Sequence, residues 1–482
     1  MWLCCVVRLR SLSSLHSFFP SHPAAGVELA TMAEIAPFRG IVYAPQDAQH
    51  PDVSSLLAPP YDVISEAQRQ ALAARSPSNA VHLILPKDSQ GGDGEGKYEV
   101  AGTTLRRMLA DGSLHRDAQP ALYRYHQVFT PPGATGPGSA GTATPIVRRG
   151  FIGRIRLHRF AEGVVLPHER TLAGPKLDRL KLKRQTRTHL SQVFGLYDDT
   201  DRATDAAFAA VESQPADLFG TTEDGVLHRL WRLTDGAAMA QVCRLLRDKR
   251  IYIADGHHRY ETMLALRDEW RREPGYRGND SAAEYGSIFL CNARDPGLVV
   301  FPTHRVLHSV PDFDLDALLH TLGQHFDIVE TSLGSHEIAQ AMLAEYGARG
   351  PSFLLCRGSR ALFLTRRPEA REAVGGPDVL RDLDVTVLHA LVFEQALGID
   401  RAAQEAQTNL RYLKDFGQAL HAAAGRDGEQ AVFLLNPTRV DQVMSVADAG
   451  EVMPQKSTYF YPKIASGIVL NPVDPSEAVD AV

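Results

Sequence analysis

Residues 251–264, IYIADGHHRYETML, decide how the chain can fold. Ile251 and Ile253 alternate with Tyr252, Gly256 can take a positive φ, and Tyr260, Met263, Leu264 and Trp270 recur at helical spacing. The reading is strand, tight turn, helix, with His257, His258 and Arg259 at the helix N-terminus. Free backbone N–H groups and the helix dipole favour an anion there, and the Arg259 fork matches phosphate oxygens. Asp255, at the strand end, can bind Mg²⁺ or orient a histidine. A lone Asp-Gly-His would more simply be a capped helix with its histidine in solvent.

Outward from this stretch, strands and helices follow one another without βαβ regularity, which predicts a mixed α+β fold rather than a doubly wound sheet. Ser65 is placed to cap the helix SEAQRQALAARS. NAVHLILPK (79–87) reads as a buried strand, and KYEVAGTTLRRMLADGSL (97–114) as an amphipathic helix closed at Asp111-Gly112. PALYRYHQVF and RRGFIGRIRLHRF alternate like strands that pair around the insert 130–146, whose composition suits a flexible connection. Residues 175–192 form a basic helical segment, read as a solvated face, that leads into the strand VFGLYDD. YGSIFLCNA, LVVFPTHRVL and AVFLLNPT read as strands, VTVLHALVFEQALGI as a buried helix, and MPQKSTYFYPKIASGIVL as a loop entering an aromatic strand.

The division expected is 1–31, 32–310 and 311–482, the last contributing a loop to a site in the second. Residues 1–31 carry Arg8, Arg10 and several serines with no acid before Glu28, which suits a signal or transit peptide, but Met32 opens a plausible domain start. We read 1–31 as an over-extended start. With 44% hydrophobic and 22% charged residues and a net charge of -6, the chain has no broad basic footprint for nucleic acid or acidic membrane. No apolar run reaches the roughly 18 residues a spanning helix needs. The five cysteines, Cys4, Cys5, Cys243, Cys291 and Cys356, show no CxxC spacing, so neither a disulfide framework nor a zinc ribbon is expected, and a reducing cytoplasm suits them.

Four further stretches carry chemistry. In GVVLPHERTLAGPKLDR, Glu169 lies between His168 and Arg170, a setting for a general base on a hydroxyl, with Lys176 close behind; Leu172 stands where a zincin would need its second histidine. FPTHRVL places His304 and Arg305 at the end of an apolar run. MPQKSTYFYPK offers Lys456, Ser457 and Thr458 to phosphate oxygens, and APPYDVIS presents Asp62 on a proline-fixed loop. Each has a plainer reading: an ion-paired turn, a strand end or a polar loop. There is no GxxxxGK[ST], no GxGxxG after a strand and no GxSxG.

APPYDVIS, LPHERT, IADGHHRYETML, FPTHR, LNPT and MPQKSTYFYPK, in this order, resemble the bacterial and archaeal family called domain of unknown function 1015, whose name implies no reaction. More remotely, the Asp-Gly-His-His-Arg loop resembles the phosphate loop of the ParB and sulfiredoxin superfamily, which includes nucleotide-dependent free serine kinases. His257 stands where sulfiredoxins have their essential cysteine, which argues against that activity, and the acidic chain lacks an obvious ParB-like DNA-binding region. The resemblance implies a ParB/sulfiredoxin-like core and phosphoryl transfer between ATP or ADP, with Mg²⁺, and a small hydroxyl metabolite such as serine or phosphoserine. His257, His258, Arg259 and Gly256 would hold phosphates, Arg305, Lys456 and Thr458 would stabilise charge, and a glutamate would act as base. Glu169 is the choice and Asp62 the reserve. A metal-dependent hydrolase using Asp255, His257, His258 and His168, and a non-catalytic metabolite sensor, are the alternatives. Oligomeric state is left open.

Overall fold

The computed structural model describes residues 33–45, 50–88, 94–131, 144–169 and 174–480. The expected extension 1–31, insert residues 132–143 and Arg170 lie outside the described residues.

The alternating segments PALYRYHQVF and RRGFIGRIRLHRF form the strands Leu122–Phe129 and Ile146–Arg156, paired antiparallel with Tyr123 opposite Ile152. Around this hairpin grows a nine-stranded mixed sheet. On one side come Leu227–Leu233 and then Leu218–Thr221. On the other, Tyr285–Asn292 runs antiparallel to Ile146–Arg156 and parallel to Val193–Tyr197. Ile251–Asp255 and Val165–Leu166 complete that edge, and Ile35–Ala36 pairs on Ile146–Arg156. Tyr285–Asn292 is buried along its whole length, as expected where both faces of a sheet are covered.

Side chains of successive residues go to opposite faces. Ile251 and Ile253 join Tyr260, Met263 and helix Gly236–Arg247 in one core layer, while Tyr252 and Ala254 join the layer holding Phe460 and Ile464. Helix His257–Trp270 is tied to helix Gly174–Thr186 by the ion pairs Lys176–Glu261 and Arg184–Glu269. The chain is thus α+β.

A second, all-antiparallel sheet runs in the order Phe326–Thr331, Arg360–Arg366, Ser352–Arg357, Glu429–Leu435, His304–His308, Leu410–Leu413. Helices His336–Gly347 and Phe416–Ala422 supply apolar side chains to one of its core layers. The helical segment 384–396 and helix Leu315–Leu322 supply the other. His304–His308 already belongs to this sheet, so the second body of strands begins before residue 311. The tail then returns: Tyr459–Tyr461 pairs with Val299–Phe301, and Asn471–Pro472 pairs with Thr188–His189. Among the described residues no helix is long and apolar enough to cross a membrane.

Two sequence expectations fail locally. Residues 81–84 are a short buried helix, not a strand, because Asn79 Oδ1 accepts the N–H of Val81 at 2.9 Å while its Nδ2 donates to the Ser55 and Leu57 carbonyls. A side-chain cap therefore turns an apolar run that periodicity leaves ambiguous. The basic helix is not wholly solvated either: Lys176, Lys181 and Arg184 form surface ion pairs, but Arg179 and Lys183 are buried.

At Gly150, opposite Cys291, an added Cβ would lie 2.4 Å from the Leu290 carbonyl oxygen and from the Phe289 ring. Gly150→Ala should therefore cost about 1–3 kcal/mol by prising apart the central strands. Urea unfolding of the variant checks this; an unchanged midpoint removes the claim.

Candidate functional site

A register shift between Ile253 and Asp255 leaves Ala254 unpaired against Val193–Tyr197 and sets Asp255 opposite Phe194 at the strand end. Gly256 follows at φ +91°, where an added Cβ would also press on the Arg259 guanidinium at 2.9 Å from Nε. Helix His257–Trp270 begins there.

Asp255 is clamped by two cations. Arg259 Nη2 donates to Oδ2, and Lys463 Nζ, from the returning tail, donates to Oδ1. Burial by itself would raise the Asp255 carboxyl, yet Lys463 and Arg259 hold it well below the usual carboxylate range. Arg259 also donates through Nη1 to the Gln192 carbonyl. Lys463 is set by its own backbone: Gln127 Nε2 donates to its carbonyl at 2.9 Å. Buried Arg148, stacked 4.7 Å from the Phe194 ring centroid, donates to the carbonyls of Tyr461 and Pro462.

Beside the clamp, the segment 168–169 is stitched to the tail. Met453 N–H donates to the His168 carbonyl at 2.8 Å, and Glu169 bridges in parallel to Met453. His168 is buried, with Nδ1 2.6 Å from the Ile253 carbonyl oxygen and Nε2 2.9 Å from Thr458 Oγ1. A carbonyl only accepts, so Nδ1 carries the proton and Nε2 accepts from the Thr458 hydroxyl. The His168 N–H donates to His257 Nε2 at 3.3 Å. Burial, and then the neighbouring His168, push His257 well below its ordinary pKa; burial lowers His168 too. Both rings are neutral and act as orienting groups.

Glu169 Oε1 accepts from the backbone N–H of Ser457 at 3.1 Å and of Thr458 at 3.4 Å. Among the described residues its Oε2 has no hydrogen-bond partner, and a fifth of the side chain faces solvent. This carboxylate is held by one oxygen and available through the other. Lys456 precedes Ser457 in the loop, exposed, at φ +58°, with its carbonyl accepting from Arg305 Nη2 at 3.1 Å.

The structure thus brings together His168, Glu169, Asp255, Gly256, His257, Arg259, Arg305, Lys456 and Thr458. His258 opens the same helix half-exposed. Asp62 joins the cluster electrostatically, acting on Arg259 and on Lys414. Lys176 ties the two helices on their outer side. His304 does not join: strand alternation sends it to the opposite face from Arg305, against Phe416, with Nδ1 accepting from Leu435 N–H at 3.2 Å and burial lowering it to about 3. Arg170 lies outside the described residues.

Lys463, Lys414 and Lys183 were not singled out from the sequence. Lys463 closes the very stretch that holds Lys456, and that repetition was the signal available. Lys414 lies 3.8 Å from the Tyr459 ring centroid, and burial with the charges of Lys463 and Lys456 lowers it to about 8.

The residues present do not fit a protein-held divalent ion. Both Asp255 oxygens face cations, His168 spends both ring nitrogens, and His257 Nε2 accepts a backbone N–H. No group of three metal-ligating side chains occurs among the described residues.

The sequence profile of the family described as "Protein of unknown function (DUF1015)" matches residues 35–386. The chain belongs to this family. No curated protein matches it significantly. Among solved structures, this DUF1015 chain is similar to a free serine kinase in complex with AMP, at 14% identity and TM-score 0.32, covering 62% of this chain and 83% of that one. A conserved hypothetical protein from Pyrococcus furiosus matches at 15% identity and TM-score 0.30, covering 62% and 89%. C-terminally truncated SbnI from Staphylococcus aureus matches at 12% and 0.28, covering 63% and 82%. At these TM-scores the likeness carries no argument about activity.

The Asp255 clamp has a pH signature. Its carboxyl is lower in the folded chain than the roughly 4 of an unfolded aspartate, so its contribution is full above about pH 4 and is lost as pH falls further. Asp255→Asn should lose about 3–5 kcal/mol at pH 7 by leaving two cations unpaired. The gap to the unsubstituted protein should narrow below about pH 4. Urea titrations at pH 7 and pH 3 check this; an equal gap at both would contradict it.

Proposed function

We propose that the protein transfers a phosphoryl group between a nucleotide, ATP or ADP, and a small hydroxyl metabolite, with free serine and phosphoserine as the first pair to test. The observation that carries this reading is Glu169: one oxygen fixed by the Ser457 and Thr458 amides, the other without a hydrogen bond among the described residues, beside a cluster of lysine and arginine side chains. Phosphoryl transfer asks a protein for positioning and for positive charge around the transferring oxygens, with one base for the hydroxyl. The site has that inventory.

In this reading Glu169 accepts the hydroxyl proton of the acceptor through Oε2. The exposed Lys456 and Lys414 attract the phosphates, and the N-terminus of helix His257–Trp270 offers its free N–H groups. Arg305 reaches the site indirectly, by holding the Lys456 carbonyl and by its charge on Glu169. His168 and His257, both neutral, orient the Thr458 hydroxyl and the 168–169 backbone rather than binding phosphate as cations. Asp255 organises Arg259 and Lys463. No step is routed through Mg²⁺.

Purified protein incubated with serine and ATP or ADP, and with phosphoserine and ADP, should form or consume phosphoserine. Glu169→Gln should lower kcat by about 10²-fold or more, the usual worth of a general base, while melting near the unsubstituted protein. No turnover in either direction by a folded sample sinks the proposal. Nucleotide binding without turnover, indifferent to Glu169→Gln, would make the protein a sensor instead.

A further inference from the structure

Behind the Asp255 clamp lies a small cavity of about 20 Å³, walled by the apolar Ile84, Leu182 and Leu190 together with Tyr61, Arg179, Lys183, Ser191 and Arg259. Its volume is that of about one oxygen-sized atom at the base of an open dimple. Lys183 is 93% buried, and its Nζ has no hydrogen-bond partner among the described residues. Three ammonium protons left unpaired in the interior are costly, and such a group calls for an explanation.

The surroundings make the vacancy in its bonding more specific. Arg179 stacks 4.2 Å from the Tyr61 ring centroid and donates through Nη1 to the Ile84 carbonyl at 2.6 Å. Arg259 faces the same cavity. Asp178 is committed to Arg179 and Lys97 and Asp255 to Arg259 and Lys463, while Asp62, next to Tyr61, acts on Arg259. Neutral His189 stands on a further side, depressed by burial and by Lys183 itself. A water molecule would satisfy protons but leave the charge of Lys183 uncompensated beside the paired Arg179 and Arg259; an oxyanion would do both.

We infer that Lys183, Arg179, Arg259 and Ser191 form a subsite for one oxyanionic group, carboxylate or phosphate, of the small-molecule substrate. Its place in the reaction rests on the phosphotransferase reading, because Arg259 is shared between this cavity and the Asp255 clamp; the anion site itself does not. Without an anion, burial and then the charges of Arg259 and Arg179 lower Lys183 to about 7, and an entering oxyanion restores its full charge.

The test titrates the full-length protein with inorganic phosphate and, separately, acetate, reading melting temperature and calorimetric affinity. Lys183→Met should be at least as stable as the unsubstituted protein without added anion, since it removes an unpaired buried amine. It should bind the preferred anion about tenfold or more weakly, the worth of a charge-assisted hydrogen bond. Ser191→Asp, which supplies a carboxylate at the mouth, should be stabilised and indifferent to added anion. Saturation by phosphate alone assigns the subsite to a phosphate group; saturation by acetate as well assigns it to a carboxylate. Equal stabilisation of Lys183→Met and the unsubstituted protein by either anion, or none in the unsubstituted protein, overturns the inference. A protein that binds the anion through Lys183 but never turns over serine leaves the subsite standing and removes only the phosphotransferase.

Discussion

The carboxylate of Asp255, with one oxygen on Arg259 and the other on Lys463, is the joint on which the site depends. It links residues four apart across the strand-to-helix turn and, in the same act, binds the returning C-terminal tail 208 residues further along the chain. A buried ion group of this kind contributes less to net stability than to geometry, because desolvation offsets most of the Coulombic gain. What it secures is register. It ties the helix N-terminus directly to the tail at this edge of the sheet.

The tail's position is set redundantly. Arg148 and Gln127, both buried on the central hairpin, grip the backbone of residues 461–463, and the strand Tyr459–Tyr461 pairs with Val299–Phe301. Met453 zips to His168 before the loop turns through Lys456. The loop 456–458 is therefore fixed at both ends, and its amides hold Glu169 at a defined point. For chemistry that relies on pre-placed charge, such rigidity matters more than the strength of any single bond.

The sequence revealed this arrangement unevenly. IYIADGHHRYETML was readable because a period of two gives way to a helical period across Asp-Gly, and both periods survive in the structure. The three separated stretches around His168, Asp255 and Lys456 were recognisable as polar interruptions of apolar runs. Where side-chain caps or burial override pattern, the reading fails: Asn79 turns 81–84 into a helix, and the run PKLDRLKLKRQTR conceals Lys183 among lysines that do face solvent. His304 and Arg305 look equivalent in FPTHRVL, yet the pleat sends them to opposite faces. Partner identity across hundreds of residues, as for Asp255 and Lys463, leaves no local trace.

A net charge of -6 and a cation-rich site are compatible because the acids here are spent on pairing. Asp255 and Asp178 are each bonded to two cations, which leaves Lys456, Lys414 and Lys183 to set the local potential. Of the histidines that first suggest a pH-sensitive phosphate site, His168 and His257 are buried and lowered by that burial. The groups that titrate close to neutrality are lysines instead: Lys183 at about 7, facing Arg179, Arg259 and His189, and Lys414 at about 8, facing Lys463, Lys456, Tyr459 and the acids Asp62 and Asp255. Lysines lose charge as pH rises, so the pull of this site on an anion weakens from about pH 7 upward. A bound anion opposes that loss by favouring the charged amine, which couples occupancy of the site to proton uptake.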